Sequence, residues 1–409
     1  MTKTCVLAFS GGLDTSVCAA WLRIERGYDV IAVTVDVGQG RELDGIKVRA
    51  EAAGVADLVV LDARDQFVTE FCWPALKANA LYEGRYPLVS ALSRGLIASE
   101  RVRIARERGA DAVAHGCTGK GNDQVRFDTS IASLAPDLPI VAPIRETGMQ
   151  RDQAISYAKE HDIPVTATTE KLYSIDENLW GRAIESGILE DPWAQPPAKD
   201  VYEMTAADHE LPDEPDDVVI GFERGLPVSL DGETMPPLDL VEHMHVLAGR
   251  HGVGRIDMIE NRLVGIKSRE VYEVPAATAL MTAHDDLERM TLERDVARFK
   301  RSISDRYAEL VYNGLWFSPL RKALDAFVDA TQTHVTGEVK LRLWKGSAQP
   351  LGRRSPYGLY DTSLATYGSA DDAFRHEDAA GFIRLWSLPV RVWAERQRGS
   401  GGAAHEGDA

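Results

Sequence analysis

Five short apolar runs rich in Val and Ile punctuate the first part of this 409-residue chain, at residues 4–9, 30–37, 57–61, 111–115 and 138–144, each bounded by Gly, Asp or Pro. Fully buried strands read as continuous apolar runs of this length. Between them lie stretches with helical spacing, such as Val17, Ala20, Trp21 and Ile24, or Leu92, Leu96, Ile97 and Ile104. Strands that alternate with helices in this way bury both faces as a parallel sheet covered by helices, a Rossmann-like α/β fold. Such a sheet binds ligands at the carboxyl ends of its strands, where loops lead into helices.

Beyond about residue 165 the alternation stops. Gln195-Pro-Pro, Leu211-Pro-Asp-Glu-Pro-Asp-Asp, Gly225-Leu-Pro and Met235-Pro-Pro read as turns between short antiparallel strands. Leu292, Val296, Phe299, Ile303, Tyr307, Leu310 and Val311 are spaced by three or four and predict one long helix over 283–313. The expected organisation is a parallel-sheet domain over 1–168, a second α+β domain over 169–370, a C-terminal helix over 371–395 and a disordered Gly-rich tail over 396–409. The C-terminal helix carries Phe374, Phe382, Ile383, Leu385 and Trp386 with little chain left to cover them, so it packs either on its own domain or, as an oligomerisation helix, on a neighbouring subunit.

Composition narrows the partners. Hydrophobic residues at 44% and charged ones at 27% suit a soluble globular chain. With 46 basic against 63 acidic residues the net charge is −17, which repels polyanions and argues against a nucleic-acid partner. No apolar run reaches about 18 residues and the start shows no signal-peptide pattern, so no membrane partner and a cytoplasmic location are expected. Cys5, Cys18, Cys72 and Cys117 share no Cys-x-x-Cys spacing and read as reduced thiols rather than a zinc site or a disulfide framework.

The first strand-to-helix loop is Ala8-Phe-Ser-Gly-Gly-Leu-Asp-Thr-Ser16. At the start of a helix its free amides and the dipole's positive end converge, Gly11 and Gly12 permit close approach, and Ser10, Thr15 and Ser16 add hydroxyls. These features make a cradle for phosphate oxygens. A turn capped by Asp14 or Thr15 would use the same residues with nothing bound. Neither Gly-x-x-x-x-Gly-Lys-Ser/Thr nor Gly-x-Gly-x-x-Gly occurs, which removes the Walker A and dinucleotide readings. A second loop, His115-Gly-Cys-Thr-Gly-Lys-Gly-Asn-Asp-Gln-Val-Arg-Phe127, follows the fourth run. Its residues suit a zwitterionic small molecule, with Asn122 and Thr118 for orientation, Arg126 for a carboxylate and Asp123 for an ammonium. A polar loop that only caps a helix starting near Gln124 has the same composition.

The stretch Ser10-Gly-Gly-Leu-Asp-Thr-Ser16 resembles the pyrophosphate-binding loop of the ATP pyrophosphatase group, enzymes that cleave ATP between its α and β phosphates. Within that group, the second loop resembles the amino-acid-binding loop of the argininosuccinate synthase family. Tyr82-Glu-Gly-Arg-Tyr-Pro-Leu-Val-Ser90, Tyr173-Ser-Ile-Asp-Glu-Asn-Leu-Trp-Gly-Arg182 and Ile259-Glu-Asn-Arg-Leu-Val-Gly-Ile-Lys-Ser-Arg269 resemble the same family, in its order and at its spacing, over roughly residues 4 to 390.

The resemblance implies ligation of citrulline to aspartate, driven by conversion of ATP to AMP and pyrophosphate through citrullyl-AMP. It places ATP on Ala8, Phe9, Ser10, Gly11, Gly12, Leu13, Asp14, Thr15, Ser16, Thr34 and Gly116. Aspartate falls on Thr118, Asn122 and Asp123, and citrulline on Tyr86, Ala91, Asn122, Arg126, Ser174, Ala183, Glu260 and Tyr272. Ala91 and Ala183 stand where relatives carry hydroxyl residues, so each can offer only its backbone. Outside the matched motif, Glu260 and Tyr272 would read as a surface ion pair and a packed ring. Mg²⁺ would enter with the phosphates and need no dedicated protein cage. No residue declares itself a general base; Asp14 and Asp123 are the candidates. Relatives are commonly homotetramers. A tRNA-thiolating enzyme would need a cysteine pair and a basic groove, and an amidotransferase an N-terminal cysteine or a glutaminase domain; a non-catalytic nucleotide-binding protein is the remaining alternative.

Overall fold

The computed structural model describes residues 2–40, 45–164, 173–368 and 373–401, without the side chains of 399–401. Strands β1 (Lys3–Ala8), β2 (Tyr28–Asp36), β3 (Asp57–Asp62), β4 (Ala112–Ala114) and β5 (Ile140–Val141) form one parallel sheet in the order β3-β2-β1-β4-β5. Alternation along each strand splits the side chains between two cores. Val6, Ile31, Val33 and Val113 join one with Leu92 and Leu96 of α2 (Val89–Arg108). Cys5, Leu7, Ala32 and Ala114 join the other with Val17 and Ala20 of α1 (Leu13–Arg26). The parallel α/β fold expected from the five runs is therefore present. The fifth run yields only two strand residues because Pro139 and Pro143 flank them, and Pro143 opens a short helix, Pro143–Thr147.

The loop after β4 leads into α3 (Asn122–Leu134), which begins at Asn122 rather than Gln124. Further along, β6 (Ser174–Asn178), β7 (Gly181–Glu185), β11 (Arg255–Asn261) and β12 (Lys267–Glu273) form an antiparallel sheet in the order β11-β12-β7-β6. A second antiparallel sheet orders β8 (Asp216–Glu223), β9 (Leu226–Leu230), β10 (Glu233–Thr234), β13 (Gly337–Trp344) and β14 (Ser347–Arg354) as β10-β9-β8-β13-β14. The helix α4 (Pro237–Arg250) lies between these strands in sequence.

The single helix expected over 283–313 is instead two, α5 (Pro275–Thr291) and α6 (Arg294–Tyr312). Leu292 is extended, and the Glu293 carboxylate accepts from the amides of Asp295 (2.8 Å) and Val296 (3.2 Å), an N-cap that restarts the chain. The apolar periodicity runs straight through this corner, which is why it read as continuous.

Contacts divide the chain into units Met1–Tyr357 and Gly358–Ala409. The second unit holds α7 (His376–Trp386) and α8 (Leu388–Gly401) and exposes Phe382, Ile383, Leu385 and Trp386. The expected tail begins inside α8, which runs to Gly401; residues 402–409 lie outside the described residues. Among the described residues no helix is long and apolar enough to cross a membrane.

The β11-β12-β7-β6 sheet buries charge on both faces. On one, Ile184 and Val271 pack with Leu189 and Val201, and Glu273 is fully buried beside them. Its carboxylate accepts from Arg182 Nη1 (2.9 Å), the amides of Glu203 (2.9 Å), Met204 (3.0 Å) and Thr205 (2.9 Å), and Thr205 Oγ1 (2.7 Å). Replacing Glu273 by alanine strands these donors and leaves the Arg182 guanidinium with Glu177 (3.1 Å) and Glu203 (3.3 Å), and is expected to destabilise the protein by about 2–4 kcal/mol in a denaturant titration. A loss below about 1 kcal/mol would show that water satisfies them instead.

Candidate active site

The loop after β1 is held open by its backbone. Gly11 has φ +71°, and a Cβ there would lie 2.4 Å from Arg49 Nε and 2.9 Å from Ile46 Cδ1. Gly12 is the N-cap of α1 and brings no side chain to its first turn. The first amide to find a helical acceptor is Ser16 N–H, on the Gly12 carbonyl at 3.0 Å. The amides of Leu13, Asp14 and Thr15 precede it and lack an intrahelical acceptor, which makes an anion cradle. Ser10 Oγ and Thr15 Oγ1 sit 3.2 Å apart beside them, and Asp14 is exposed on the same turn. Thr34 Oγ1 donates to the Phe9 carbonyl at 2.6 Å, so it braces the loop. Ser16, at the end of the loop, is buried.

The second loop touches the first. A Cβ on Gly116 would lie 3.4 Å from the Asp14 carbonyl carbon and Thr15 Cγ2, so glycine lets the two loops close on each other. Behind them Arg101, wholly buried, donates to the Ala114 carbonyl (2.8 Å) with its guanidinium 4.2 Å from the Phe127 ring centroid; burial pushes its pKa down to about 10. His115 accepts the Cys117 amide at Nδ1 (3.2 Å), which leaves Nε2–H to donate to Asp128 (2.8 Å). Burial lowers the imidazole's pKa despite Asp128, in keeping with this neutral tautomer.

Charged and aromatic groups converge beyond that loop. Asp123 pairs with Arg94 Nε (2.8 Å) and Arg126 Nη1 (2.9 Å), and Arg94 Nη2 reaches Asp176 of β6 (2.8 Å). Burial alone would raise the Asp123 carboxyl, but Arg94 and Arg126 hold it below the usual carboxylate range. Arg126 Nε donates to the Tyr312 carbonyl (2.9 Å). Glu260, 2% exposed, accepts from Tyr272 Oη (2.6 Å) and Tyr312 Oη (2.5 Å). Burial raises its carboxyl, and those hydroxyls with Arg126 and Arg262 pull against the rise. The Tyr86 and Tyr272 rings stack at 4.1 Å. Asn122 donates to Tyr312 Oη (2.8 Å) and accepts the Leu263 amide (3.0 Å).

Strand register explains who faces this pocket. Tyr272 and Asp176 both pair with Ala183, and alternation carries the same face to Glu270 and Glu260. Ala183 therefore lies between two polar neighbours and contributes no side-chain hydrogen bond. Ala91 is buried in the apolar core, and Thr118, Lys120 and Ser174 are exposed. The structure thus gathers Tyr86, Asn122, Asp123, Arg126, Glu260 and Tyr272 into one network and brings the phosphate-type loop against its edge. Sequence reasoning passed over Arg94, Asp176 and Tyr312. Arg94 has the pattern of a surface position on a helix, and Tyr312 falls just past the apolar stripe that ends at Val311.

A cavity of about 720 Å³ lies elsewhere, lined partly by α5 and α6; within its lining Lys300 pairs with Glu288 and Arg289 with Asp285, while Asp286 pairs with Arg353 outside it.

Two family models match the chain. The arginosuccinate synthase N-terminal HUP domain covers residues 4–164, and the arginosuccinate synthase C-terminal domain covers 173–393. Argininosuccinate synthase of Oceanobacillus iheyensis is 56% identical over 393 residues, 96% of this chain and 94% of that one. The enzyme of that name from Geobacillus kaustophilus is 57% identical over 387 residues, 95% of each chain, and that from Trichodesmium erythraeum 54% identical over 395 residues, 96% of this chain and 98% of its own. Matched over residues 4–164 and 173–393, through both loops and the strands that carry Glu260 and Tyr272, this chain belongs to the argininosuccinate synthase family.

Proposed function

We propose that this protein is an AMP-forming ligase that joins citrulline to aspartate. The observation that carries the reading is the contact of Gly116 with Asp14 and Thr15, which sets a phosphate cradle against a pocket built of guanidinium, carboxylate and phenol groups. The amides of Leu13, Asp14 and Thr15 with Ser10 and Thr15 hold the β and γ phosphates. The ureido oxygen of citrulline attacks the α phosphorus, pyrophosphate leaves, and the aspartate amine then displaces AMP from the ureido carbon. Positioning and charge stabilisation supply most of the rate.

Arg126 and Glu260 offer opposite charges for the two ends of citrulline's amino-acid moiety. Asp123, kept ionised by Arg94 and Arg126, suits the ammonium of aspartate better than a proton-abstracting role. Asp14 is then the candidate base at the reacting end. Among the described residues no cluster of three or more His, Cys, Asp and Glu could hold a metal. The loop's amides and hydroxyls would hold the phosphates, and the Asp14 carboxylate would face an Mg²⁺ carried on the phosphates and water, where the ion would neutralise charge on the departing pyrophosphate. Thiol chemistry is disfavoured: burial pushes Cys5 and Cys117 up to about 12 and raises Cys18 and Cys72 well above the usual thiol value. A cytoplasmic homotetramer completes the reading, the exposed apolar residues of α7 supporting assembly.

Citrulline carrying ¹⁸O in its ureido group is expected to deliver that label to AMP, with AMP and pyrophosphate formed in equal amounts only when both amino acids are present. Formation of ADP, or unlabelled AMP, would overturn the proposal.

A further inference from the structure

We infer that Tyr312, the last residue of α6, is a positioning residue that sets the carboxylate, amide and guanidinium of this pocket at once. Its hydroxyl donates to Glu260 and accepts from Asn122, while its carbonyl accepts from Arg126 Nε. Its ring meets Arg126 again, with Cζ 4.8 Å from the centroid, and Tyr82 stacks on the ring at 3.6 Å and 6°. Tyr82 in turn donates from Oη to the Asn261 carbonyl (2.7 Å), the residue after Glu260. The helix end is built to press here. Gly314, at φ +75°, sits so close that a Cβ on it would lie 2.6 Å from Arg126 Cα, and the C-terminal carbonyl that meets Arg126 carries the negative end of the α6 dipole.

One residue of α6 therefore couples Asn122 and Arg126 of α3 to Glu260 of β11. Without its hydroxyl, Glu260 keeps only Tyr272, and the Asn122 amide loses the acceptor that fixes its rotation. Both amino-acid substrates should feel the change, because Asn122 is shared between their sites in the proposed reading, on which this inference rests.

The test is Tyr312→Phe, which keeps the ring stack and the carbonyl, beside Tyr307→Phe, which removes a hydroxyl that bonds Asp325 (2.8 Å). Tyr312→Phe is expected to lower kcat/KM for citrulline and for aspartate by about 10-fold or more, with KM for ATP unchanged. The acid limb of the kcat/KM profile for citrulline should also move up by about one pH unit, since a hydroxyl that favours the ionised Glu260 has gone. Tyr307→Phe should leave the pH profile in place. If the wild-type protein makes no AMP from ATP, citrulline and aspartate together, the functional reading fails. If it does, and Tyr312→Phe folds with both amino-acid constants and the acid limb unmoved, the positioning role fails alone. A uniform loss shared by both variants and matched by a drop in melting temperature would also overturn it, as a packing effect.

Discussion

Arg126→Gln is expected to lower kcat/KM for citrulline by about 10²- to 10³-fold while leaving nucleotide binding intact. Arg126 is 4% exposed and is held from three sides, by Asp123, by the Tyr312 carbonyl and over the Tyr312 ring. Its removal leaves Asp123 with Arg94 alone and takes away the positive field that helps keep Glu260 ionised. Truncating one member of a buried, hydrogen-bonded charge pair costs about 2–5 kcal/mol, and each 1.4 kcal/mol is tenfold. Arg126→Lys should recover only part of the loss, because an ammonium cannot serve the carbonyl and the carboxylate with a planar fork. Steady-state kinetics with varied citrulline, together with calorimetric titration of ATP, separate the outcomes. A variant whose citrulline constants match the parent would remove Arg126 from the site, and one that also loses ATP would mean the loop region had unfolded.

The second large effect belongs to the phosphate loop. Gly11→Val forces a β-branched residue to φ +71° and drives its Cβ into Arg49 and Ile46. The left-handed backbone alone costs about 1–2 kcal/mol, and the loop is expected to relax away from its donor geometry, raising the KM for ATP about 100-fold. Gly12→Ala separates strain from ligand approach. Gly12 has φ −74°, open to any residue, and its Cβ would meet only Ser10 Oγ at 3.5 Å. Its folding stability should change by no more than about 0.5 kcal/mol, while ATP affinity falls at least as far as the methyl group intrudes on the phosphate position. If equilibrium titration shows Gly12→Ala binding ATP as tightly as the parent, phosphates do not lie over this helix start.

The buried pocket also explains why a local substitution should have distant kinetic consequences. Arg262 links Glu270 (2.6 Å) and Glu185 to the hairpin that carries the Leu263 amide, and burial with the neighbouring Glu185 and Glu260 pushes Glu270 up to about 8. Asn122 Oδ1 is therefore fixed by a backbone group whose own position depends on an ion-paired hairpin. Such networks are sensitive to any one unsatisfied member.

Much of the architecture was legible from local pattern. The five apolar runs located the parallel strands because a strand buried on both faces needs apolar residues continuously. The two glycine-rich loops were legible because strand, turn and helix start are consecutive in the chain. The corner at Leu292 was missed because hydrophobic spacing records which face is buried and not whether the axis continues; the cap rests on one glutamate side chain. Ala91 and Ser174 show the limit for the site. A matched position assigns a side chain to a neighbourhood, yet burial in the core and exposure at a strand end are set by packing.

By itself the sequence determined the parallel sheet, the donor-rich loop at its carboxyl edge and the residue types of the second loop, since each depends on neighbours a few positions apart. Only the tertiary structure decided that Tyr312 meets Asn122 across 190 positions and Glu260 across 52, and that Arg94 joins Asp123 to Asp176. Those contacts arise when separate elements dock. Their free energy comes from burial and charge pairing in three dimensions, which leaves no periodic trace along the chain.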